Sequence, residues 1–216
     1  MKPAFQIKEP TVQTSHPPLL VMLHGYGSHE KDLLPLSAHL PGHFRIVSLR
    51  APLTLDFGGY AWYPLHYDAQ GQLSANPAEA IQAMEMLHGF INELQSRYRQ
   101  SRRNTCLLGF SQGAILSYSL SIHHPGLAQY IAGLSGYFWK EICDEPPSPA
   151  HKDLHYLATH GTFDEVIPIE AARQIPEFLA AYTTHYRFDE FPTGHFLDDN
   201  TVSLLSGWLS RHFPVN

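Results

Sequence analysis

The pentapeptide Gly109-Phe110-Ser111-Gln112-Gly113 follows the apolar run Thr105 to Leu108 and opens the segment Ala114 to His124. A serine set between glycines at a strand-to-helix turn sits on a strained backbone that lifts its hydroxyl clear. The glycines are required there because a β-carbon on either side would collide with the adjoining strand or helix. A serine hydroxyl is a weak nucleophile near neutral pH, so it needs an adjacent base and a carboxylate that orients that base. Two later segments can supply them. Thr159-His160-Gly161-Thr162-Phe163-Asp164 places Asp164 after a strand ending near His160, with Glu165 as a rival acid beside it. Phe191-Pro192-Thr193-Gly194-His195 places His195 after a strand ending near Phe191. Taken singly, these are a glycine-bounded turn, a turn aspartate and a loop histidine. Taken together, in the order serine, acid, histidine, they form a relay for nucleophilic attack on an acyl carbon.

That chemistry also needs hydrogen-bond donors aimed at the oxyanion that forms when a carbonyl becomes tetrahedral. One is the backbone N–H of Gln112, the residue after the serine; the other is expected from Tyr26, in His24-Gly25-Tyr26-Gly27 after the first apolar run. The His24 side chain is read as structural. Two long irregular stretches, 52–76 and 135–153, follow strand ends, where ligands bind in open α/β sheets. Their aromatic and aliphatic residues, with Phe57, Trp62, Leu65 and Phe138 among them, are expected to build an apolar acyl site. The competing reading is that half or more of them pack the loops onto the body.

The elements that must position these groups alternate along the chain. Buried strands are expected from Leu19, Phe44, Thr105, Tyr130 and Leu154, and a more alternating one from His185. Asn76 can cap a helix, Pro77 fits its first position, and Ile81, Met84, Leu87, Ile91, Leu94 and Tyr98 recur at helical spacing. This helix should be about six turns long. Further helices are expected over Gln112 to His124, Pro168 to Tyr182 and Asp198 to His212. Such alternation predicts one α/β domain over residues 1–216, a mostly parallel central sheet with helices on both faces and no large cap domain.

The 216 residues are 44% hydrophobic, enough for a substantial core, and carry a net charge of −6. That balance gives no ground for nucleic-acid or polybasic membrane binding. The first eighteen residues lack the apolar centre of a signal peptide, and no run approaches the roughly 18 apolar residues of a membrane span. A cytoplasmic chain is expected, with Cys106 and Cys143 reduced. Fifteen histidines raise the question of metal. There is no His-Glu-x-x-His, and His123 and His124 would point about 100° apart on a helix, a poor chelating pair. No metal or other cofactor is expected for catalysis, and most histidines are read as surface residues.

His24 to Ser28, Arg50 to Tyr63, Gly109 to Ala114, His160 to Pro168 and Gly194 to Phe196 together resemble the phospholipase/carboxylesterase family of α/β-hydrolases, which includes acyl-protein thioesterases and small bacterial carboxylesterases. The similarity runs over nearly the whole chain. It departs at Ala114, where a second glycine is frequent, and at Ser28, where aspartate is common. The resemblance implies a serine hydrolase with Ser111, Asp164 and His195 as triad and Tyr26 and Gln112 as oxyanion donors. It leaves ester, thioester and lysophospholipid substrates open, and the oligomeric state, a homodimer among the options, open too. The contrasting function is a non-catalytic ligand-binding protein on the same scaffold.

Overall fold

The computed structural model describes residues 3–67 and 73–215. Strands β1 (Phe5–Lys8), β2 (Leu19–Leu23) and β3 (Arg45–Leu49) are followed by two short hairpins, β4 (Leu53–Thr54) with β5 (Tyr60–Ala61) and β6 (His66–Tyr67) with β7 (Leu73–Ser74). Then come α1 (Pro77–Tyr98), β8 (Thr105–Phe110), α2 (Gln112–His123), β9 (Tyr130–Leu134) and β10 (His155–Gly161). Helices α3 (Ile169–Ala172) and α4 (Ile175–Ala180), β11 (Tyr186–Phe191) and α5 (Asp199–His212) complete the chain.

Seven strands form one sheet in the order β1-β3-β2-β8-β9-β10-β11, parallel throughout except at β1, which runs antiparallel to β3. The reason the inner strands read as unbroken apolar runs is visible in β2. Leu19, Val21 and Leu23 face one core with α1 and α2, while Leu20 and Met22 face the other with Leu205, Trp208 and Leu209 of α5. A strand covered on both sides has no polar face to alternate with. Because the chain moves from β2 outward to β3 and only later returns to β8, connections diverge above the paired ends Leu23 and Gly109. That switch in strand order opens a crevice at the carboxyl edge.

Helix α1 forms where the periodicity requires it. Asn76 accepts the Ala78 N–H at 3.0 Å, Pro77 follows at the first position, and Met84, Leu87, Ile91 and Leu94 are buried. The expected helix from Pro168 to Tyr182 instead divides into α3 and α4. Pro176 is the cause, since it has no N–H to donate and its ring would collide with the carbonyl of Ala172 in a continuous helix. Strand β1 and the two hairpins were not signalled by sequence pattern. β1 is a four-residue edge strand with only part-buried or exposed residues, held by its pairing to β3. Cys143, in a polar stretch of sequence, is fully buried against α2; both cysteines are free thiols, and burial raises both thiol pKa values. His24, His43, His151 and His160 are buried histidines. None of the described helices is long and apolar enough to cross a membrane.

At the amino edge of the sheet, opposite the crevice, His155 stacks on His185 at 4.6 Å and on Tyr130 at 5.2 Å and lies 4.8 Å from His212. Burial, then the neighbouring His212 and His185, pulls the His155 pKa down to about 4. The unfolded chain therefore takes up a proton on His155 near pH 6.5 while the folded chain does not until about pH 4. Stability attached to this group is complete above pH 6.5 and is lost as pH falls towards 4. His155→Gln should flatten the fall of the unfolding midpoint between those values; an unchanged pH slope in denaturant titrations would remove His155 as its source.

Candidate active site

Ser111 lies between β8 and α2 with φ 53° and ψ −117°, a backbone conformation that L-residues seldom adopt. Its N–H donates to the Leu134 carbonyl at 2.9 Å, which fixes the turn against β9. The flanking glycines are sterically obligatory. A β-carbon on Gly113 would run into the Leu23 carbonyl at the end of β2, and one on Gly109 would meet the backbone of Gly113 itself. The elbow is thus pressed against both neighbouring strand ends, leaving the serine hydroxyl as the group that projects.

The structure brings Asp164 and His195 to that hydroxyl. His195 Nε2 lies 2.9 Å from Ser111 Oγ, and its Nδ1 lies 2.6 Å from Asp164 Oδ2. An ionised carboxylate can only accept, so Nδ1 carries the proton and Nε2 is left to accept from the serine. Glu165, the rival acid, is exposed to solvent. Asp164 has a side chain wholly shielded from solvent, and its Oδ1 accepts the N–H groups of Val166 and Ile167 at 2.9 and 2.8 Å. These bonds, made within the following turn, lock the carboxylate's orientation. A further partner was not anticipated from sequence. His160, also fully shielded, donates from Nε2 to the Ile167 carbonyl at 2.8 Å, with the same nitrogen 3.3 Å from Asp164 Oδ2. Its Nδ1 has no partner among the described residues. The signal available was the spacing of His160 and Asp164, four residues apart across one turn after a strand.

The loop after β2 approaches the elbow closely. A β-carbon on Gly25 would stand 3.2 Å from Ser111 Cβ and 3.1 Å from the Phe110 ring. His24 is buried and holds the loop from beneath: its Nε2 accepts the Ala51 N–H at 3.1 Å, so Nδ1 bears the proton and donates to the Gly25 carbonyl at 2.7 Å. Burial is the main cause that lowers the His24 pKa, in keeping with a neutral ring. Gly27 N–H donates to the Tyr60 carbonyl at 2.9 Å and Tyr60 N–H to the Ser28 carbonyl at 2.8 Å, tying the loop to β5. Among the described residues, the backbone N–H groups of Tyr26 and Gln112 are bonded to no backbone acceptor.

Gln112 also acts through its side chain. Oε1 accepts the Trp62 N–H at 2.9 Å and Nε2 donates to the Tyr63 carbonyl at 2.8 Å, clasping the elbow to the hairpin loop. Trp62 completes the clasp by donating from its indole to the His24 carbonyl at 2.8 Å. Trp62 is accordingly 2% exposed and ties the loop after β2 to the elbow. Phe138 is stacked between Tyr118 at 4.5 Å and Phe178 at 4.3 Å, and Leu65 is half-buried against the core. Other apolar groups in the loops are more exposed. Phe57 is 74% exposed, Phe163 68%, Val166 61% and Phe196 58%. Phe163 and Phe196 directly adjoin Asp164 and His195 in sequence, which was the available cue, and Phe57 lies 6.2 Å from the Tyr26 ring.

Residues 4–213 match the sequence model of the family described as phospholipase/carboxylesterase. The chain belongs to this family. Among its relatives, an acyl-protein thioesterase 1 of Kluyveromyces lactis is 26% identical over 176 residues, covering 76% of this chain and 77% of that one. A relative from Oryza sativa subsp. japonica, described as a probable carboxylesterase, is 24% identical over 173 residues; the match covers 77% of this chain and 64% of the rice protein's length. The crystal structure of esterase PE8 is 25% identical, with a TM-score of 0.83 over 99% of this chain and 100% of that chain. The fold is therefore that of the α/β-hydrolase esterases.

The Gln112 clasp can be tested apart from chemistry. Gln112→Ala leaves the buried Trp62 N–H and Tyr63 carbonyl without partners, and stability in urea should fall by roughly 2–4 kcal/mol. A midpoint equal to the parent's would show that water replaces the amide at no cost.

Proposed function

We propose that the protein is a serine hydrolase that cleaves carboxylic esters through an acyl-enzyme, with Ser111 as nucleophile, His195 as general base and Asp164 as the orienting acid. The observation that carries this reading is the unbroken line of hydrogen bonds from Asp164 through His195 to Ser111, ending on a strained elbow beside two free backbone donors. Ser111 Oγ attacks the acyl carbonyl as its proton passes to His195 Nε2, and the imidazolium so formed is stabilised by Asp164. The carbonyl oxygen, now an oxyanion, receives the N–H groups of Tyr26 and Gln112. Collapse of the tetrahedral intermediate breaks the ester bond, and His195 gives its proton to the departing alkoxide. Water then attacks the acyl-enzyme with His195 again as base, releasing the acid and restoring Ser111. Every proton is carried by these residues or by water, so the cycle closes without a cofactor.

The acyl chain is assigned to the open apolar side chains around this line, Phe57, Phe163, Val166 and Phe196. Burying one such side chain against a hydrocarbon is worth about 1.5–3 kcal/mol, so two or three contacts set a clear preference for apolar over polar acyl groups. The substrates are thus small esters with apolar acyl groups, and thioesters and lysophospholipids share the same carbonyl chemistry. A chain-length series of acyl esters with matching thioesters, compared by kcat/KM, reads the preference directly.

Ser111→Ala should lower kcat/KM by roughly 10³-fold or more with the unfolding midpoint intact. It should also abolish labelling by a fluorophosphonate, which the parent takes up at Ser111. A parent that resists the reagent and turns over no ester would instead mark a ligand-binding protein. Asp164→Asn should leave the fold and cost roughly 10⁴-fold in kcat, because the amide favours the wrong imidazole tautomer; near-parental turnover would exclude Asp164 as the orienting acid.

A further inference from the structure

Helix α1 runs beside α2, and where it passes the carboxyl end of α2 three side chains converge. Glu85 and His88 stand one turn apart on α1 and share a face. His124 follows the last residue of α2, held there by its N–H bond to the Leu120 carbonyl at 2.8 Å. Glu85 Oε1 lies 2.9 Å from His124 Nε2, and Glu85 Oε2 lies 3.8 Å from His88 Nδ1. The two imidazoles are stacked at 3.6 Å with 7° between their planes. One donor atom from each of the three residues falls within 4.8 Å of the other two. His123 takes no part, since it turns to the Ile142 carbonyl and to Glu145. The pair that meets is made by the fold, not by adjacency in the sequence.

We propose that Glu85, His88 and His124 bind a divalent transition-metal ion of the zinc type, with water completing the coordination sphere. Two imidazole nitrogens and one carboxylate oxygen suit zinc, copper or nickel, whereas calcium and magnesium require mostly oxygen. The site is open to solvent for entry: the side chains of Glu85, His88 and His124 are 51%, 32% and 22% exposed. The rings lie face to face in nearly parallel planes, so coordination of one ion by both needs His88 to turn about its Cβ–Cγ bond towards the gap between Glu85 and His124. That torsion has a broad, shallow profile, and the ring is part-exposed, so the turn is cheap.

The ion would tie α1 to α2. Thirteen residues of helical rise separate Ser111 from His124, about 20 Å, so this metal does not touch the reacting atoms. Its consequence is stability of the layer that carries the elbow.

The test uses tag-free protein stripped with a chelator, titrated with Zn²⁺ by calorimetry and with Co²⁺ by absorption. The parent should bind one equivalent with a Kd on the order of 10 µM or tighter. Co²⁺ should give visible ligand-field bands, and Mg²⁺ should not compete. At a hundredfold excess over Kd, Zn²⁺ should raise the Tm by roughly 5–10 °C. His88→Gln and His124→Gln should each weaken binding at least tenfold with an unchanged far-ultraviolet circular dichroism spectrum. His155→Gln, in the separate histidine cluster, should bind as the parent does. Binding no tighter than millimolar in the parent overturns the proposal, as does undiminished affinity in the His88→Gln/His124→Gln double variant.

Discussion

The approach of α2 to the ends of β2 and β8 governs the rest of the active edge. Gly113 passes so close to the Leu23 carbonyl that no side chain fits between them, and Gly109 faces Gly113 across the turn. With that clearance the helix begins directly over the sheet, and Ser111 is forced to φ 53°. The strain at one residue is sustained because its neighbours cannot move: Leu134 accepts its N–H on one side, and the Gly25 backbone closes on the other. The same approach puts the Gln112 N–H and the loop after β2 side by side. The position of Ser111 and of the N–H groups proposed as oxyanion donors follows from one packing contact.

Around this contact donors and acceptors are matched at Asp164 and His24, while His160 Nδ1 has no partner among the described residues. Asp164 spends Oδ1 on two backbone N–H groups and offers Oδ2 to two imidazoles. His24 is fixed in the tautomer opposite in sense to that of His160, since one must accept from Ala51 and the other must donate to Ile167. A neutral, oriented His24 ring under the loop supplies rigidity without a buried unpaired charge, which would be costly.

Sequence and structure agree where short-range chemistry decides. The elbow, the N-cap at Asn76 and the stripe on α1 are each set by residues within a few turns of one another, and the strands of the sheet interior are set by two-sided burial. Apart from the local break that Pro176 makes between α3 and α4, the differences lie where distant contacts decide. β1 is held by pairing with β3 and by packing of Phe5 and Ile7 on the core, and the hairpin β4–β5 is tied to Gly27 and Ser28. Trp62 reads in sequence as a loop aromatic that either meets an acyl group or packs inward; its backbone N–H and its indole are committed to groups fifty and thirty-eight residues away in the chain, the Gln112 side chain and the His24 carbonyl respectively. Phe138 is likewise absorbed by Tyr118 and Phe178. Aromatic content in a loop cannot distinguish a ring that packs inward from one that faces solvent, since both bury or expose the same surface depending on partners elsewhere.

The placement of the exposed rings has a further implication for the proposed chemistry. Phe163 and Phe196 are separated by one peptide bond from Asp164 and His195, and Phe57 presses on the loop that presents Tyr26. An acyl chain lying on these rings would therefore rest on the same loops that hold Asp164, His195 and Tyr26, the proposed acid, base and oxyanion donor. Removing that surface from water favours the arrangement in which all three loops are seated together. A polar acyl group gains no such area. Discrimination by chain polarity would then appear in kcat as well as in KM, because the apolar contact acts on the loops that carry the transition-state groups and not only on the bound ground state.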